Sequence, residues 1–465
     1  MPEAPRTADR PTDLVPFGQA VRAWFAISLQ TFGGPAGQIA VMERELVERR
    51  RWIGHERFLH ALSFCTLLPG PEAQQLAVYV GWLLNGVRGG LVAGTLFVLP
   101  GLMALLGLSA VYVAWGESAI VSGVFAAVAP AVLVVVAQAV LRVGRKALTT
   151  PVAVTIAVAA FLALTLLHTV FPLVVLLAGV VGLVAGRRRP PPLIAPSPSG
   201  DAVPVVRGDA VPIVGDDALH HVRPTREYAA RVLGVGLLAW AVPMAGVVLL
   251  TGQGSVFTQQ GLFFTGTALV TFGGAYAVLA FVAQRAVEVY GWLAPGEMTR
   301  GLALAESTPG PLIMVVQFVA FLGAFRDPGA LSPWAAGILA SLLTTWVVFV
   351  PSFVLVFLGA PFIERLRGNR SLAAALSGVT AAVVGVIVHL GVYLAVHTVA
   401  DRTLVATLGP VSLELPDPRA LDPVAFAYLT LAGALLLWRG WSVLRTLGAC
   451  ALVGLVVALA RQLVT

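Results

Sequence analysis

The chain has 465 residues, 58% hydrophobic and only 11% charged, with a mean hydropathy of +0.88. A soluble domain carries about a quarter of its residues as Asp, Glu, Lys or Arg; this composition excludes a water-solvated globule and makes lipid the natural solvent. The formal net charge of +7 falls in loops between apolar blocks, where it orients a membrane protein rather than binding nucleic acid.

The first 16 residues are polar and lack an apolar signal-peptide region, so the first apolar span, which carries Arg22, is expected to be retained. A helix needs about 20 residues to cross the hydrocarbon. Spans are expected at roughly 17–40, 61–84, 89–115, 118–141, 151–168 and 170–186, then at 229–251, 256–283, 301–325, 332–360, 371–398, 422–438 and 441–463, about thirteen in all. Pro172 and Gly440 mark turns between short neighbouring spans. Residues 187–228 open with Arg187-Arg188-Arg189 and Pro190-Pro191-Pro192 and read as a basic, Pro-rich linker on the cytoplasmic side. Counting from there puts Arg142, Arg145, Lys146, Arg365, Arg367, Arg370 and Arg439 inside, with the N-terminus inside and the C-terminus outside. Lys146 is the only lysine, which reads as base composition rather than as an Arg-specific site. Residues 41–60, with Arg44, Arg49, Arg50, Arg51 and Arg57, fall outside on a plain count. If spans 17–40 and 61–84 each bend back at a central break, this segment returns to the cytoplasm and later spans keep their sides.

The chain repeats itself. Thr31-Phe32-Gly33-Gly34 recurs as Thr271-Phe272-Gly273-Gly274, an offset of 240 (271 − 31), and Pro69-Gly70-Pro71 recurs as Pro309-Gly310-Pro311 in the same ungapped register. Leu29, Val47, Glu48 and Trp52 match Leu269, Val287, Glu288 and Trp292, and Pro100 pairs with Pro351 after a short insertion. The expected organisation is a first repeat at 1–186, the linker at 187–228, a connecting helix at 229–252 and a second repeat at 253–465. The connecting helix flips the second copy, so the fold class is an all-α polytopic membrane protein built as an inverted-topology repeat, a plan common among secondary transporters.

Gly and Pro in both motifs interrupt apolar spans. Such breaks survive in a bilayer only when buried in protein or lining a cavity. Each half-helix that starts after a break offers free N–H groups and a positive dipole end, which suit an anion without a desolvated cation. Pro35, Pro71, Pro311 and Ala275 are expected near first helical positions. The candidate binding set is Phe32, Gly33, Gly34, Gln38, Pro69, Gly70, Pro71, Glu72, Gln74, Gln75, Phe272, Gly273, Gly274, Glu306, Ser307, Thr308, Pro309, Gly310, Pro311 and Gln317. Glu72 and Glu306 flank the Pro-Gly-Pro motifs at non-equivalent positions; proton coupling, an ion pair with Arg88 or another arginine, and helix capping are all open. Packing alone also accounts for single Gly and Pro residues in membrane helices. His168, His389 and His397 sit near span ends. Cys65 and Cys450 suggest neither a disulfide nor a metal site. No metal, nucleotide or cofactor motif is present, and an ATP-driven pump is not expected.

The stretches Thr31–Gln38, Leu67–Trp82, Thr271–Gly274 and Glu306–Gly323 resemble the chromate ion transporter family in its long two-domain form. The resemblance implies a multi-pass protein of the bacterial inner (plasma) membrane that exports chromate by secondary active transport and confers chromate resistance. Sulfate, a tetrahedral dianion of similar size, is the alternative cargo for a permease of other direction. A membrane-embedded enzyme is the reading of another class, and no catalytic pair supports it. Assembly into a homo-oligomer is left open. Ala275-Tyr276 replaces Pro35-Ala36, so the second half is expected to contribute differently.

Overall fold

The computed structural model describes residues 13–116, 118–167, 169–188, 212–215, 225–272, 275–362, 370–400, 402–408 and 411–464. Most of the 187–228 linker, together with His168, Arg365 and Arg367, therefore lies outside the described residues. The first half runs α1 (Phe17–Ser28), α2 (Gly34–Glu43, prolonged by a π turn at Arg44–Arg49), α3 (His55–Cys65), α4 (Glu72–Trp115), α5 (Ala119–Ala147), α6 (Pro151–Leu167) and α7 (Phe171–Arg188). Helix α8 (Arg226–Thr251) follows. The second half runs α9 (Val256–Leu269), α10 (Ala275–Gln284, prolonged by a π turn at Arg285–Val289), α11 (Glu297–Ser307), α12 (Val315–Arg326, preceded by a 3-10 turn at Leu312–Met314), α13 (Pro333–Gly359), α14 (Arg370–Val399), α15 (Pro423–Gly433, prolonged by a π turn at Ala434–Trp438) and α16 (Val443–Val464). Strands β1 (Thr403–Leu408) and β2 (Val411–Pro416) form an antiparallel hairpin between α14 and α15. Among the described residues six helices, α4, α5, α8, α13, α14 and α16, are long and apolar enough to cross a membrane.

The repeat seen in the sequence is also written in the backbone. The π turn of α2 closes with Arg50 N–H donating to Glu45 O, and that of α10 closes with Tyr290 N–H donating to Arg285 O, 240 residues on. Each is followed by a left-handed residue, Arg51 (φ 52°) and Gly291 (φ 62°).

Four segments expected as single spans are hairpins of two short helices. Glu297 at the start of α11 pairs with Arg326 at the end of α12, 2.7 Å apart, and Gly301 packs on Phe318, so the chain folds back at Pro309-Gly310-Pro311. Phe64 and Tyr79 meet across Pro69-Gly70-Pro71 with their rings tilted at 53° and centroids 5.6 Å apart. The bases of the first-half hairpins gather: Leu14 N–H donates to Leu84 O at 3.0 Å, Asn85 Nδ2 donates to Val15 O at 2.6 Å, and His55 contacts Glu43 at 3.1 Å. In the second half Trp292 meets Phe263 edge-on with centroids 5.6 Å apart, and Arg326 donates to the Trp292 carbonyl at 3.0 Å.

Helix α4 links the two sets. It breaks at Asn85-Gly86, where both residues leave helical geometry, and turns back so that Gly89 and Gly94 lie against Gly81 and Val78. It then passes Gly310 at Gly101 and reaches Glu297 with the Tyr112 hydroxyl at 2.9 Å. From residue 87 to residue 112 that is roughly 38 Å at 1.5 Å per residue. Helix α13 runs the reciprocal course, from Trp334 edge-on to Phe325 at 5.2 Å, past Gly70 at Ser352, to Gly359 against Phe64.

The remaining helices form a bundle whose contacts cross between halves. Helix α7 crosses α14 where Gly182 meets Gly378, and α5 crosses α16 where Gly123 meets Gly454. Without a hydrophobic force between helices in lipid, such close backbone approach at small residues carries the packing.

Glu297 accepts from both terminal nitrogens of Arg326, from Tyr112 Oη and from the Ala294 amide. Arg326→Ala removes two donors from this buried carboxylate, an expected cost of about 1–3 kcal/mol. Thermal unfolding of the purified protein in detergent should show a lowered midpoint, while Arg439→Ala at an exposed position leaves it in place.

Candidate functional site

The hairpin tips meet. Gly70 N–H donates to Thr271 O at 2.7 Å, and Gly310 N–H donates to Thr31 O at 3.0 Å. Each Pro-Gly-Pro tip is thus bonded to the Thr-Phe-Gly-Gly tip of the other half. The geometry demands glycine: Gly70 has φ +124°, and a Cβ there would lie 2.6 Å from Ser352 Oγ and Gln75 Nε2. Gly310 has φ +102°, with Gly101 Cα 3.2 Å from the same hypothetical atom. Pro71 and Pro311 are the caps before their helices, one position earlier than the sequence suggests, and Pro35 lies in the first turn of α2.

The glutamines surround these tips. Gln38 Nε2 donates to Gly310 O, Gln75 Nε2 to Pro69 O at 2.7 Å and Gln317 Nε2 to Leu102 O at 3.1 Å, next to Gly101. The Oε1 atoms of all three are buried without a hydrogen-bond partner, and Gln74 is wholly buried with both amide atoms unpaired. Among the described residues, the amides of Glu72, Ala73 and Gln74 at the start of α4, and of Leu312 and Ile313, have no backbone acceptor. The open groups are of both kinds: the backbone amides and Gln74 Nε2 are donors, the glutamine Oε1 atoms acceptors, and buried polar groups normally find partners.

Glu72 is half-buried in the first turn of α4, and Lys146, near the end of α5, acts on it electrostatically. Glu306 is 2% exposed and accepts a hydrogen bond from Tyr276 Oη; Arg142 of α5 acts on both. Arg88 forms no ion pair with either carboxylate. Ser307 Oγ and Thr308 Oγ1 turn back onto the Leu304 and Ala305 carbonyls. Phe32 is half-buried beside the first tip. Phe272 points elsewhere, into an apolar cleft of about 370 Å³ lined by α7 and α14. Gly33 (φ 78°) and Gly34 (φ 73°) start α2, while Gly273 and Gly274 lie outside the described residues.

His389 contacts Thr165 Oγ1 at 3.0 Å, and His397 contacts Glu414 at 3.5 Å; neither reaches the tips. Cys65 and Cys450 are free and buried. Sequence reasoning missed the Thr31 and Thr271 carbonyls, Gly101, Ser352, Tyr276, Arg142 and Lys146. The Pro100–Pro351 match already pointed to Gly101 and Ser352, and the departure from the repeat at Ala275-Tyr276 pointed to Tyr276.

The chromate transporter family model matches residues 18–183 and 258–455. A chromate transport protein of Pseudomonas aeruginosa is 31% identical over 414 residues, covering 87% of this chain and 88% of that protein. One from Cupriavidus metallidurans is 26% identical over 417 residues, covering 89% and 92%. The uncharacterized transporter YwrB of Bacillus subtilis is 33% identical over 133 residues, 29% of this chain and 68% of that protein. No solved structure matches. Two matched stretches covering both halves, and relatives aligned over most of their length, place this chain in the chromate transporter family.

Proposed function

We propose that the protein is a secondary active exporter of chromate in the bacterial inner membrane, conferring chromate resistance, with the oxyanion held where the four hairpin tips meet. The observation that carries the site is the cluster of unpaired donors at the tips, above all Gln74 Nε2, buried and unpaired beside the open amides of α4. A dianion stripped of water needs several donors at once, and a helix start supplies them prearranged and without net charge. Gly33, Gly34, Gly70, Gly310 and the glutamines Gln38, Gln74, Gln75 and Gln317 form the binding wall. Gly273 and Gly274, the sequence counterparts of Gly33 and Gly34, lie outside the described residues. The substrate follows from the relatives, which are named chromate transport proteins.

The halves are read as an inverted-topology repeat, with repeats at 1–186 and 253–465 joined by the linker 187–228 and the helix 229–252. The opposed placement of the hairpin bases along α4 supports this reading. The thirteen apolar segments then resolve into nine crossings and four re-entrant hairpins. Residues 41–60, rich in Arg, come to lie in the cytoplasm, and five crossings separate each hairpin from its copy.

Three measurements test this. Inside-out vesicles should accumulate labelled chromate when energised, with excess unlabelled sulfate reporting whether the site also takes that dianion; no energised chromate uptake at normal protein levels overturns the substrate. Gly70→Val should cut chromate flux at least about tenfold, since each misplaced donor costs roughly 1–3 kcal/mol, while Gln74→Ala, which leaves the backbone donors, lowers it less. Normal flux in Gly70→Val would move the site away from the tips. Arg50→Cys and Gly291→Cys should react with impermeant maleimide from opposite faces, Arg50→Cys from the cytoplasm; labelling of both from one face ends the inverted arrangement.

A further inference from the structure

The two halves have the same hairpins but not the same surroundings. In the second half α10 packs on α14, and α11 packs on α5 and α16. Repeat symmetry pairs these contacts with α2 on α5 and α3 on α14 and α7, and α2 and α3 make no comparable packing there. The apolar core divides accordingly. The second-half hairpins share one continuous cluster with the bundle, whereas α1, α2, α3 and the start of α4 form a separate cluster closed by the end of α13.

Equivalent positions show the consequence. Ala36 and Ala40 of α2, Ser63 of α3 and Thr66 at its C-cap are exposed. Their counterparts Ala280, Ala303 and Glu306 are buried and Tyr276 is half-buried. The exposed positions continue to Arg44, Glu48 and Glu56 at the hairpin bases, a polar lining that suits water rather than lipid. Arg142 and Lys146 are exposed on α5 and act on the carboxylates at the inner end. Three of the four positions differ in residue type as well as burial: Ser63 is replaced at offset 240 by Ala303, and Ala36 and Thr66 by Tyr276 and Glu306, which bond to each other.

We infer that Tyr276 and Glu306 form the closed gate of the transporter: their contact seals the second-half route to the tips while the matching first-half route, walled by Ala36 and Thr66, stands open. Transport exchanges the two arrangements, with α2 and α3 docking on the bundle as α10 and α11 leave it. The inference rests on the proposed site only for what passes through; the gate is read from accessibility, independent of substrate.

The test uses full-length protein in which Cys65 and Cys450 are replaced by Ala, with one cysteine added at Ser63, Thr66 or Ala303. An impermeant maleimide is applied to right-side-out and inside-out vesicles. Ser63→Cys and Thr66→Cys should react readily from the face bearing residues 44–60, and Ala303→Cys from neither face. Restoring the first-half pair, Tyr276→Ala with Glu306→Thr, should raise labelling of Ala303→Cys from the opposite face and lower that of Thr66→Cys. A shift of about tenfold is what loss of one buried hydrogen bond makes in a two-state equilibrium. Should the double variant fail to fold on size-exclusion chromatography, Tyr276→Phe removes the bond alone and should shift labelling the same way, while Glu306→Gln keeps an acceptor and should leave Ala303→Cys protected. Equal labelling of Thr66→Cys and Ala303→Cys in the parent, or unchanged labelling in the folded gate variants, overturns the gate. Loss of chromate flux with these labelling patterns intact would instead count against the substrate.

Discussion

Two backbone hydrogen bonds hold the centre of this molecule: Gly70 to Thr271 and Gly310 to Thr31. A chain broken inside a membrane exposes peptide groups that lipid cannot satisfy. Here the breaks satisfy one another across the repeat, each Pro-Gly-Pro donating to the other half's threonine. The rest follows from that reciprocity. The tips must meet at one depth, so each hairpin arm is held to about half a span. The helices that pass them, α4 and α13, need a small residue at the crossing, and Gly101 and Ser352 supply it. The donors left over, on Gln74 and on the first amides of α4 and the 3-10 turn before α12, gather where the breaks gather.

Much of this was legible in the sequence. The membrane class followed from composition, and the two halves from an ungapped offset of 240. The breaks at Phe-Gly-Gly and Pro-Gly-Pro followed from the backbone freedom of glycine and the missing donor of proline. The excess of arginine at 41–60 already favoured segments that fold back. What the sequence hid was long-range or asymmetric. Hydropathy cannot separate a hairpin of two short helices from one spanning helix of equal length, because both bury the same apolar residues. The turn at Asn85-Gly86 was legible as well: the expected spans 61–84 and 89–115 end and begin on either side of it, and both residues leave helical geometry.

The site residues divide on the same line. Gln38, Gln74, Gln75 and Gln317 were named as candidates because they could supply neutral polar groups, and in the structure Gln38 and Gln75 bond to the Pro-Gly-Pro tips. Ser307 and Thr308 looked equally suitable, but hydroxyls within helices commonly bond back to their own turn, and these do. Lys146 was read only as one of the charges that place a loop inside; an electrostatic influence on Glu72, far away in sequence, is not recorded in any local pattern. Tyr276 and Glu306 lie 30 residues apart and are joined only once two hairpins stand side by side.

Helix α8 buries little of its surface and touches mainly α9 and α13. Its contribution is arithmetic rather than adhesive. In the proposed arrangement it adds the single crossing that gives the second copy the opposite orientation. A unit that had to insert both ways up as separate molecules would need one sequence to serve both orientations, and any change made for one side would be imposed on the other. A covalent tether of odd parity removes that constraint. Each copy is committed to its own leaflet during synthesis and is then free to diverge, so an alanine and a threonine on one side can face a tyrosine and a glutamate on the other. A machine descended from a symmetric ancestor can in this way acquire a resting preference, and with it a direction.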